Sequence, residues 1–293
     1  MNNMPIGILY ESKEWSSYIL ERHINDMGVP AKLIDMQEEL VPEALLSFDL
    51  IVNRVFASAV FRGHQKALRQ MPDVIALLKE NKIPMINPYE AHFYEISKEY
   101  STRTLASHNF PVPKIYGVFT PAEISVSARI EYPLIVKPDC GGRTNYTFIV
   151  NNFQELSKIV KETPNIKFIA EEYIYPAYGY LTRIEVIDRT CKSILRRSVT
   201  DNGLSAYHLG STYAAYEDCS AKIKNTAVKA MDLLQIEAGS LDIIENEKGF
   251  FIIDVNSVSN ASEDNIEMFS FDQMKETAAY IVKRYRRLKD ISG

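Results

Sequence analysis

Two apolar segments near the end of the chain constrain its fold most strongly. Residues 241–244 and 250–256 are rich in Ile, Val, Leu and Phe, and the turn-forming residues 246–249 separate them. This pattern predicts two neighbouring buried strands that pair as a hairpin. Side chains two residues apart on a strand share one face, so Asp254 and Asn256 are expected on the same side.

The polar residues of this hairpin form a candidate metal site. Pairing of the two strands brings Asp242 close to Asp254 and Asn256. Carboxylates at the end of an apolar sheet are costly unless a cation neutralises them. Carboxylate and amide oxygens suit Mg²⁺, which often shares its coordination with phosphates. The segment alone leaves two interpretations equally open: a Mg²⁺ site, or two solvated strand-end acids and an Asn that turns the chain.

Composition excludes several classes of protein. A net charge of −5 over 293 residues gives no basic footprint for nucleic acid. No apolar run reaches the roughly 18 residues that a membrane helix needs, and the N-terminus lacks the pattern of a signal peptide. The three cysteines show no CxxC spacing and the five histidines no HxxxH pair, so free thiols in a reducing cytosol are expected and a zinc site is not. These features predict a cytoplasmic enzyme or binding protein.

The first part of the chain alternates between strand and helix patterns. Strands are predicted at 6–10, 31–36, 49–55 and 84–88, and helices at 15–27 and 73–81. This alternation predicts a small doubly wound parallel sheet. Because such sheets bind ligands beyond the carboxyl ends of their strands, residues 10–12 and 53–54 border a possible cleft. A dinucleotide site is not supported, since the segment contains no GxGxxG.

The rest of the chain predicts an antiparallel sheet with helices, compact enough to act as a lid, and then a second sheet. For the lid, helices are predicted at 89–109, 121–127 and 153–161, and strands at 114–119, 132–137, 146–150 and 167–173. The later elements are strands 181–187 and 193–200, an aromatic loop 201–216, a helix 220–234, the hairpin and a helix 271–288. The fold class predicted is therefore α/β with an α+β lid.

Two lysines and a pair of glycines are candidates for binding phosphate. Lys137 ends an apolar strand just before Gly141 and Gly142. Glycines permit positive φ and let backbone N–H groups approach an anion closely. An ordinary hairpin turn uses the same residues, and Lys98, on the preceding helical stretch, has the alternative of being a solvated helix lysine.

The predicted strand at residues 168–174 carries two acids, Glu171 and Glu172, at its end. The backbone at such a position can form hydrogen bonds with the edge of adenine, while a neighbouring acid accepts from the amino group. The alternative is a strand that simply links two domains.

The order of these motifs is more informative than any one of them. Five motifs follow one another along the chain: a helix lysine, a strand lysine before a glycine loop, a Glu-Glu-Tyr-Ile strand, a strand with Arg183 and an Asp…Asp-x-Asn hairpin. This order resembles the ATP-grasp superfamily, and most of all its RimK-like carboxylate–amine ligases. The resemblance covers about residues 85–260, and the first ~85 residues match the usual Rossmann-like pre-ATP-grasp domain in pattern only. It implies domains at 1–88, 89–174 and 175–293, the second being the lid and the third holding the metal site.

The resemblance also implies roles for individual residues. Lys98 and Lys137 are expected to bind the phosphates and the adenine side of ATP, with Gly141 and Gly142 closing over it. Glu171, Glu172, Tyr173 and Ile174 are expected to line the adenine pocket, the last two through their main chains. Arg183 matches an arginine that faces the phosphates and the acyl-phosphate. Asp242, Asp254 and Asn256 match the ligands of Mg²⁺, for which Mn²⁺ can substitute.

Several positions depart from the family pattern. Tyr180 and Leu181 occupy the region where an acid commonly contacts the ribose, and Asp254 stands where Glu is more usual. Residues 257–259 replace the small-Ser-Pro-Gly sequence after the Asn, and residues 207–210 replace the Arg-rich substrate loop. The resemblance therefore implies nucleotide and metal binding, but it does not carry over the family's usual glutamate-type substrates.

The activity that the resemblance implies is ATP-dependent joining of a carboxylate to an amine through an acyl-phosphate. An ATP-grasp kinase, or a non-catalytic ATP-binding module, remains an alternative. The expected partners are small amino-acid or peptide substrates and further copies of the chain, in a dimer or tetramer, with no nucleic acid and no membrane.

Arg196 and Arg197 are candidates for contacting the acyl substrate. Adjacent residues on a strand point to opposite faces, so only one of the two is expected to enter the cleft. A loop with Tyr207, His208 and two further tyrosines, Tyr213 and Tyr216, follows them. This loop either covers a substrate or packs as a structural Ω-loop.

Overall fold

The computed structural model describes residues 5–121 and 130–292, which form three β-sheets with helices around them. The first sheet is four-stranded and parallel, in the order β2-β1-β3-β4. Its elements are β1 (Ile6–Tyr10), α1 (Trp15–Asp26), β2 (Ala31–Asp35), β3 (Leu50–Arg54), α2 (Gln65–Glu80) and β4 (Met85–Ile86). The predicted doubly wound sheet is confirmed.

Helix α2 is longer than its predicted range of 73–81. It begins at Gln65 and runs through Pro72, whereas the predicted range begins only after this proline. A proline inside a helix removes one backbone hydrogen bond. Here the buried face of α2, which includes Met71 and Ile75, spans both sides of the proline, and its burial outweighs that loss.

The second sheet is antiparallel, in the order β5-β8-β6-β7. Its elements are α3 (Tyr89–Ile96), α4 (Lys98–Ser107), β5 (Ile115–Phe119), β6 (Leu134–Pro138), β7 (Phe148–Val150), α5 (Phe153–Glu162) and β8 (Phe168–Glu172). The single helix predicted over 89–109 is two helices, because Ser97 is extended and its hydroxyl accepts from the Tyr100 N–H to cap α4. The helix predicted at 121–127 lies outside the described residues.

The third sheet has five antiparallel strands, in the order β11-β10-β9-β12-β13. Its elements are β9 (Tyr180–Ile187), β10 (Thr190–Ser198), β11 (Tyr213–Ala215), α6 (Ala221–Leu233), β12 (Ala238–Asn246), β13 (Gly249–Asn256), α7 (Glu263–Phe269) and α8 (Gln273–Ser292). Neither β11 nor α7 was predicted. The predicted hairpin is confirmed as β12 and β13, with Asp242 paired to Asp254.

The terminal helix α8 ties the end of the chain to its beginning. Tyr280, Ile281 and Tyr285 of α8 pack in one apolar cluster with Leu20 and Ile24 of α1. The three sheets take their strands from residues 6–86, 115–172 and 180–256, while the proposed domain limits at 88 and 174 stay a prediction. No helix in the described part of the chain is long and apolar enough to cross a membrane.

Candidate active site

A cavity of about 730 Å³ lies where the second and third sheets meet. Its lining contains nearly all of the residues that the sequence singled out: Lys98, Lys137, Gly141, Gly142, Glu171, Glu172, Tyr173, Ile174, Arg183, Arg197, Asp242, Asp254 and Asn256. Arg196 is the candidate that does not line it. Residues that are up to 158 positions apart in sequence, from Lys98 to Asn256, therefore border one space.

Asp242 is held between two arginines. Its Oδ1 lies 3.3 Å from Arg183 Nη1, and its Oδ2 lies 3.1 Å from Arg197 Nη2. Burial alone raises the pKa of a carboxyl, but the positive charges of Arg197 and Arg183 outweigh burial and lower the pKa of Asp242. Asp242 is therefore ionised at neutral pH, as a metal ligand must be.

Lys98 joins the acidic hairpin to the glycine loop. Its Nζ lies 3.1 Å from Asp254 Oδ1 and donates to the Gly141 carbonyl at 3.1 Å. Burial acts to lower the pKa of Lys98, but the charge and hydrogen bond of Asp254 outweigh this and raise it. Lys98 is the first residue of α4, directly after the break at Ser97. Its backbone N–H is therefore free of the helix and donates to the Asp139 carbonyl, which fixes its position.

Lys137 occupies the other side of the cavity, next to the predicted adenine strand. Its Nζ lies 2.8 Å from Glu171 Oε2 and donates to the Ile253 carbonyl at 2.9 Å. Strands β6 and β8 pair with Lys137 opposite Ile169, and the Lys137 side chain reaches Glu171, two residues further along the same face of β8. The Tyr173 N–H already donates to the Pro133 carbonyl at 3.3 Å. Any adenine contact from this segment therefore has to use other main-chain groups, such as those of Ile174.

Arg196 and Arg197 point to opposite faces of β10, as predicted. Arg197 lines the cavity, where its Nε donates to Ser205 Oγ at 3.0 Å and its Nη2 pairs with Asp242. The Arg196 guanidinium lies over the rings of Tyr216 and Tyr180, 3.8 and 4.6 Å from their centroids. The structure therefore brings Arg197 to the site and leaves Arg196 outside it.

The glycine loop, residues 139–146, lies against the first part of the chain. A Cβ atom at Gly141, whose φ is +147°, would lie 2.4 Å from Phe61 Cε2, whereas one at Gly142 would meet Ser58 Cβ at an ordinary 3.6 Å. Arg143 Nη2 pairs with Glu14 Oε1 at 2.6 Å. The absence of a side chain at Gly141 is what allows this close approach.

Two buried acids that the sequence analysis missed also line the cavity. Glu95 accepts from the backbone N–H groups of Ala57, Ser257 and Val258, at 3.1, 2.7 and 3.2 Å, and burial raises its pKa. Glu185 contacts Arg183 Nε and Gln273 Nε2, each at 2.9 Å; burial raises its pKa, although Arg183 counteracts the rise. The sequence does contain a signal for each of them. Glu95 is an acid within the apolar helical segment 89–96, and Glu185 lies two residues after Arg183, on the same face of the strand.

The residues at the carboxyl ends of β1 and β3 do not line this cavity. Asn53 and Arg54 border a separate small pocket of about 20 Å³, and the predicted ligand cleft at these strand ends stays a prediction. Glu11 is fully buried and pairs with Arg62 and with His64, whose Nδ1 lies 2.5 Å from Glu11 Oε2. Arg54 is also buried and donates to the Ser259 carbonyl and to Ser16 Oγ, both at 2.8 Å. Their polar groups are engaged in packing the first sheet against its neighbours.

The hairpin residues fit a hard divalent cation. In the described part of the chain, no group of three or more His, Cys, Asp or Glu residues is arranged to hold a metal. The candidate set consists instead of two carboxylates and the Asn256 amide, whose Nδ2 is buried with no hydrogen-bond partner among the described residues. Oxygen donors of this kind suit Mg²⁺ or Mn²⁺ rather than a thiophilic metal.

Comparison with known proteins places the chain among ATP-grasp proteins. A family model described as "RimK-like ATP-grasp domain" matches residues 97–281. A relative from Pasteurella multocida (strain Pm70), named "Probable alpha-L-glutamate ligase", is 22% identical over 258 residues, which are 86% of this chain and 78% of the relative.

Solved structures show the same fold. The RimK domain protein ATP-grasp from Sphaerobacter thermophilus DSM 20745 superposes with a TM-score of 0.69 and 20% identity, covering 94% of this chain and 98% of that one. The D-alanine–D-alanine ligase from Bacillus anthracis complexed with ATP has a TM-score of 0.69 and 14% identity, covering 99% and 100%. At these identities the likeness establishes the architecture alone.

Proposed function

The chain belongs to the RimK-like ATP-grasp family, and on that basis we propose that it is an ATP-dependent ligase that joins a carboxylate to an amine. One observation carries the proposal: a single cavity brings together two lysines, two arginines and the Asp-Asp-Asn hairpin. ATP-grasp ligases use ATP with Mg²⁺. The cations of the cavity can bind the phosphates of ATP, and the oxygens of the hairpin can bind Mg²⁺. The products are an amide, ADP and phosphate.

The reaction proceeds in two steps. A carboxylate oxygen of one substrate attacks the γ-phosphorus of ATP, the bond to the β-phosphate oxygen breaks, and ADP leaves. The amine of the second substrate then attacks the carbonyl carbon of the acyl-phosphate, and phosphate leaves as the amine loses its proton. Neither step needs a side-chain nucleophile, so the chain has to bind, orient and neutralise the reacting groups.

The cations of the cavity are proposed to bind the nucleotide and the acyl-phosphate. Lys98 and Lys137 are proposed to contact phosphates and the adenine side, and Glu171–Ile174 to form the adenine pocket. Arg183, and Arg197 beside it, are proposed to stabilise the oxygens of the acyl-phosphate. Both guanidinium groups are held in place by Asp242, so their positive charge is preorganised.

Asp242, Asp254 and Asn256 are proposed to hold Mg²⁺ or Mn²⁺. When bound, such an ion would offset the negative charge that develops during phosphoryl transfer. The glycine loop is proposed to exclude water from the acyl-phosphate, which water would otherwise hydrolyse. Its contacts with Phe61 and Glu14 support this role, because they hold the loop against the first part of the chain.

Small amino acids or peptides are the proposed substrates. A homo-oligomer, either a dimer or a tetramer, and a cytoplasmic location are proposed from the family resemblance and from the free Cys140, Cys191 and Cys219. Light scattering on the purified chain measures the oligomeric state directly.

A substrate screen tests the proposed reaction. Amino acids and dipeptides are incubated in pairs with ATP and Mg²⁺, and phosphate release and product masses are recorded. A ligase releases phosphate only when both a carboxylate and an amine are present, and it forms a product lighter by one water than the two substrates together. A phosphorylated product that persists identifies a kinase, and nucleotide binding with no turnover for any pair identifies a non-catalytic module.

A further inference from the structure

One part of the cavity includes Glu185, which lies four residues along β9 from Leu181, and Leu181 packs with Ile174 of the proposed adenine pocket. We call this part the far end. It is bordered by Glu185, Gln273, helix α7 and Phe271. Glu185 contacts both Gln273 and Arg183, so the far end adjoins the arginine proposed to bind the acyl-phosphate. A substrate that reacts beside Arg183 can therefore extend its remaining atoms into this end.

Helix α7 presents an apolar wall to the far end. Residues four apart share a helix face, and two such pairs, Asp264 with Met268 and Asn265 with Phe269, line the cavity together. None of the described residues of α7 is buried, and Met268 is 52% exposed. Surface helices normally bury their apolar face against the protein. Here the apolar side chains, together with Phe271, remain open to the cavity.

The charges at the far end are acidic. Asp264 and Glu185 are its ionisable residues. Asp264 makes no hydrogen bond or ion pair among the residues that the structure describes. The lysines and arginines that line the cavity elsewhere are each paired with an acid of the chain: Lys98 with Asp254, Lys137 with Glu171, Arg143 with Glu14, and both Arg183 and Arg197 with Asp242. The described residues that border the far end include no lysine or arginine of their own for a carboxylate side chain to pair with.

We propose that the far end selects an amino-acid substrate with an apolar side chain of the size of leucine, methionine or phenylalanine. Met268, Phe269 and Phe271 contact that side chain, and Asp264 repels an acidic one. The inference rests on the proposed ligase function and adds the substrate class. It separates this chain from the relative named as a glutamate ligase, whose named substrate carries a second carboxylate.

Steady-state kinetics with matched substrates test the selection. Leucine, methionine, phenylalanine, alanine and glutamate are compared in the wild type and in Met268→Ala, Asp264→Lys and a control, Tyr175→Ala. Tyr175 is 68% exposed and does not line the cavity. The wild type is expected to prefer leucine over glutamate by about a hundredfold, given the transfer free energy of a buried side chain and the repulsion by Asp264.

Each variant has its own expected result. Met268→Ala raises the KM for leucine about tenfold and leaves the KM for ATP unchanged, because it removes apolar contact area alone. Asp264→Lys raises kcat/KM for glutamate and lowers the preference for leucine. Tyr175→Ala changes neither. Equal use of leucine and glutamate by the wild type, or an equal effect of Met268→Ala on both, overturns the inference.

A binding measurement separates this inference from the ligase proposal. Calorimetry is performed with Mg²⁺, a non-hydrolysable ATP analogue and each amino acid in turn. Binding of leucine but not glutamate, lost in Met268→Ala, supports the far-end assignment even if no amide is formed with any pair. No preference for leucine in this measurement overturns the assignment even if the chain proves to be a ligase.

Discussion

At the scale of single residues, the proposed activity depends on the balance of charges at the acidic hairpin. Asp242 pairs with Arg183 and Arg197, and Asp254 pairs with Lys98, so each carboxylate of the hairpin is neutralised by a cation that lines the same cavity. All of these charged groups line the cavity, so changing one of them acts directly on the site.

We expect Asp254→Asn to lower turnover by about a hundredfold or more while leaving the fold intact. The change preserves side-chain size and removes a proposed metal-binding charge. ADP release with a verified substrate pair, and thermal unfolding, measure the two effects. Asp232→Asn, at a half-exposed acid paired with Arg189, is the control. Near-wild-type turnover of Asp254→Asn would show that the metal assignment is wrong.

Arg197→Ala and Arg196→Ala form a matched pair. We expect Arg197→Ala to raise the KM for the carboxylate substrate about tenfold or more, because it removes the charge-assisted hydrogen bond proposed between Arg197 and the reacting carboxylate. The second removes the contacts of Arg196 with Tyr180 and Tyr216, outside the cavity, and should cost about 0.5–2 kcal/mol of stability. Substrate KM values and chemical unfolding distinguish them, and an equal effect on KM would place the acyl pocket elsewhere.

His92 is expected to make the fold sensitive to acid. It is buried in α3, neither ring nitrogen has a hydrogen-bond partner in the described part of the chain, and burial lowers its pKa to about 4. In the unfolded chain the pKa of a histidine is about 6.5. At pH values between about 4 and about 6.5, His92 is therefore protonated in the unfolded chain but not in the folded chain. The free energy of unfolding therefore falls as pH falls through this window, by an amount on the order of 3 kcal/mol.

Replacing His92 by Phe should remove this part of the pH dependence. Urea unfolding at pH 7 and pH 4.5 measures it in the wild type, in His92→Phe and in a control, His108→Phe, at an exposed position. The expected result is that the loss of stability at low pH shrinks in the first variant and not in the second. An unchanged pH dependence in His92→Phe would contradict the assignment.

At the scale of secondary-structure elements, the glycine loop depends on one glycine more than on the other. Gly141→Ala forces a Cβ against the Phe61 ring, while Gly142→Ala meets only an ordinary contact with Ser58. We expect Gly141→Ala to raise the KM for ATP about tenfold or more by displacing the loop, and Gly142→Ala to change it little. Similar KM values for the two variants would contradict this packing.

Limited proteolysis reports the loop directly. Trypsin cleaves after Arg143 within the loop and after Arg189 in the exposed turn between β9 and β10. A Mg²⁺–nucleotide analogue should slow cleavage at the first site and not at the second. Gly141→Ala should lose this protection, whereas equal rates at Arg143 with and without the analogue in the wild type would show that the loop is not a lid.

At the scale of the whole molecule, the sequence predicts the parts whose signals are local. The apolar runs and their turn gave the hairpin, and the period of two placed Asp254 and Asn256 on one face. The same period showed that only one of Arg196 and Arg197 enters the cavity, but not which one, because that depends on how β10 pairs with β9 and β11.

What the sequence did not predict depends on tertiary packing. Helix α7 spans only seven residues and none of them is buried, so it is too short to show the repeating apolar pattern by which helices are identified. Helix α2 continues through Pro72 because a long buried face stabilises it. Glu95 joins three separate segments of the chain, and no pattern within its own helix shows this.

An acyl-phosphate is proposed to link the cleavage of ATP to the formation of the amide, and the fate of a carboxylate oxygen tests this most directly. The carboxylate substrate is labelled with ¹⁸O, and the released phosphate is analysed by mass spectrometry. Attack of the carboxylate on ATP leaves one labelled oxygen in the phosphate when the amine displaces it. We therefore expect one ¹⁸O per phosphate, formed only when the amine is present. Unlabelled phosphate alongside an amide product would contradict the account.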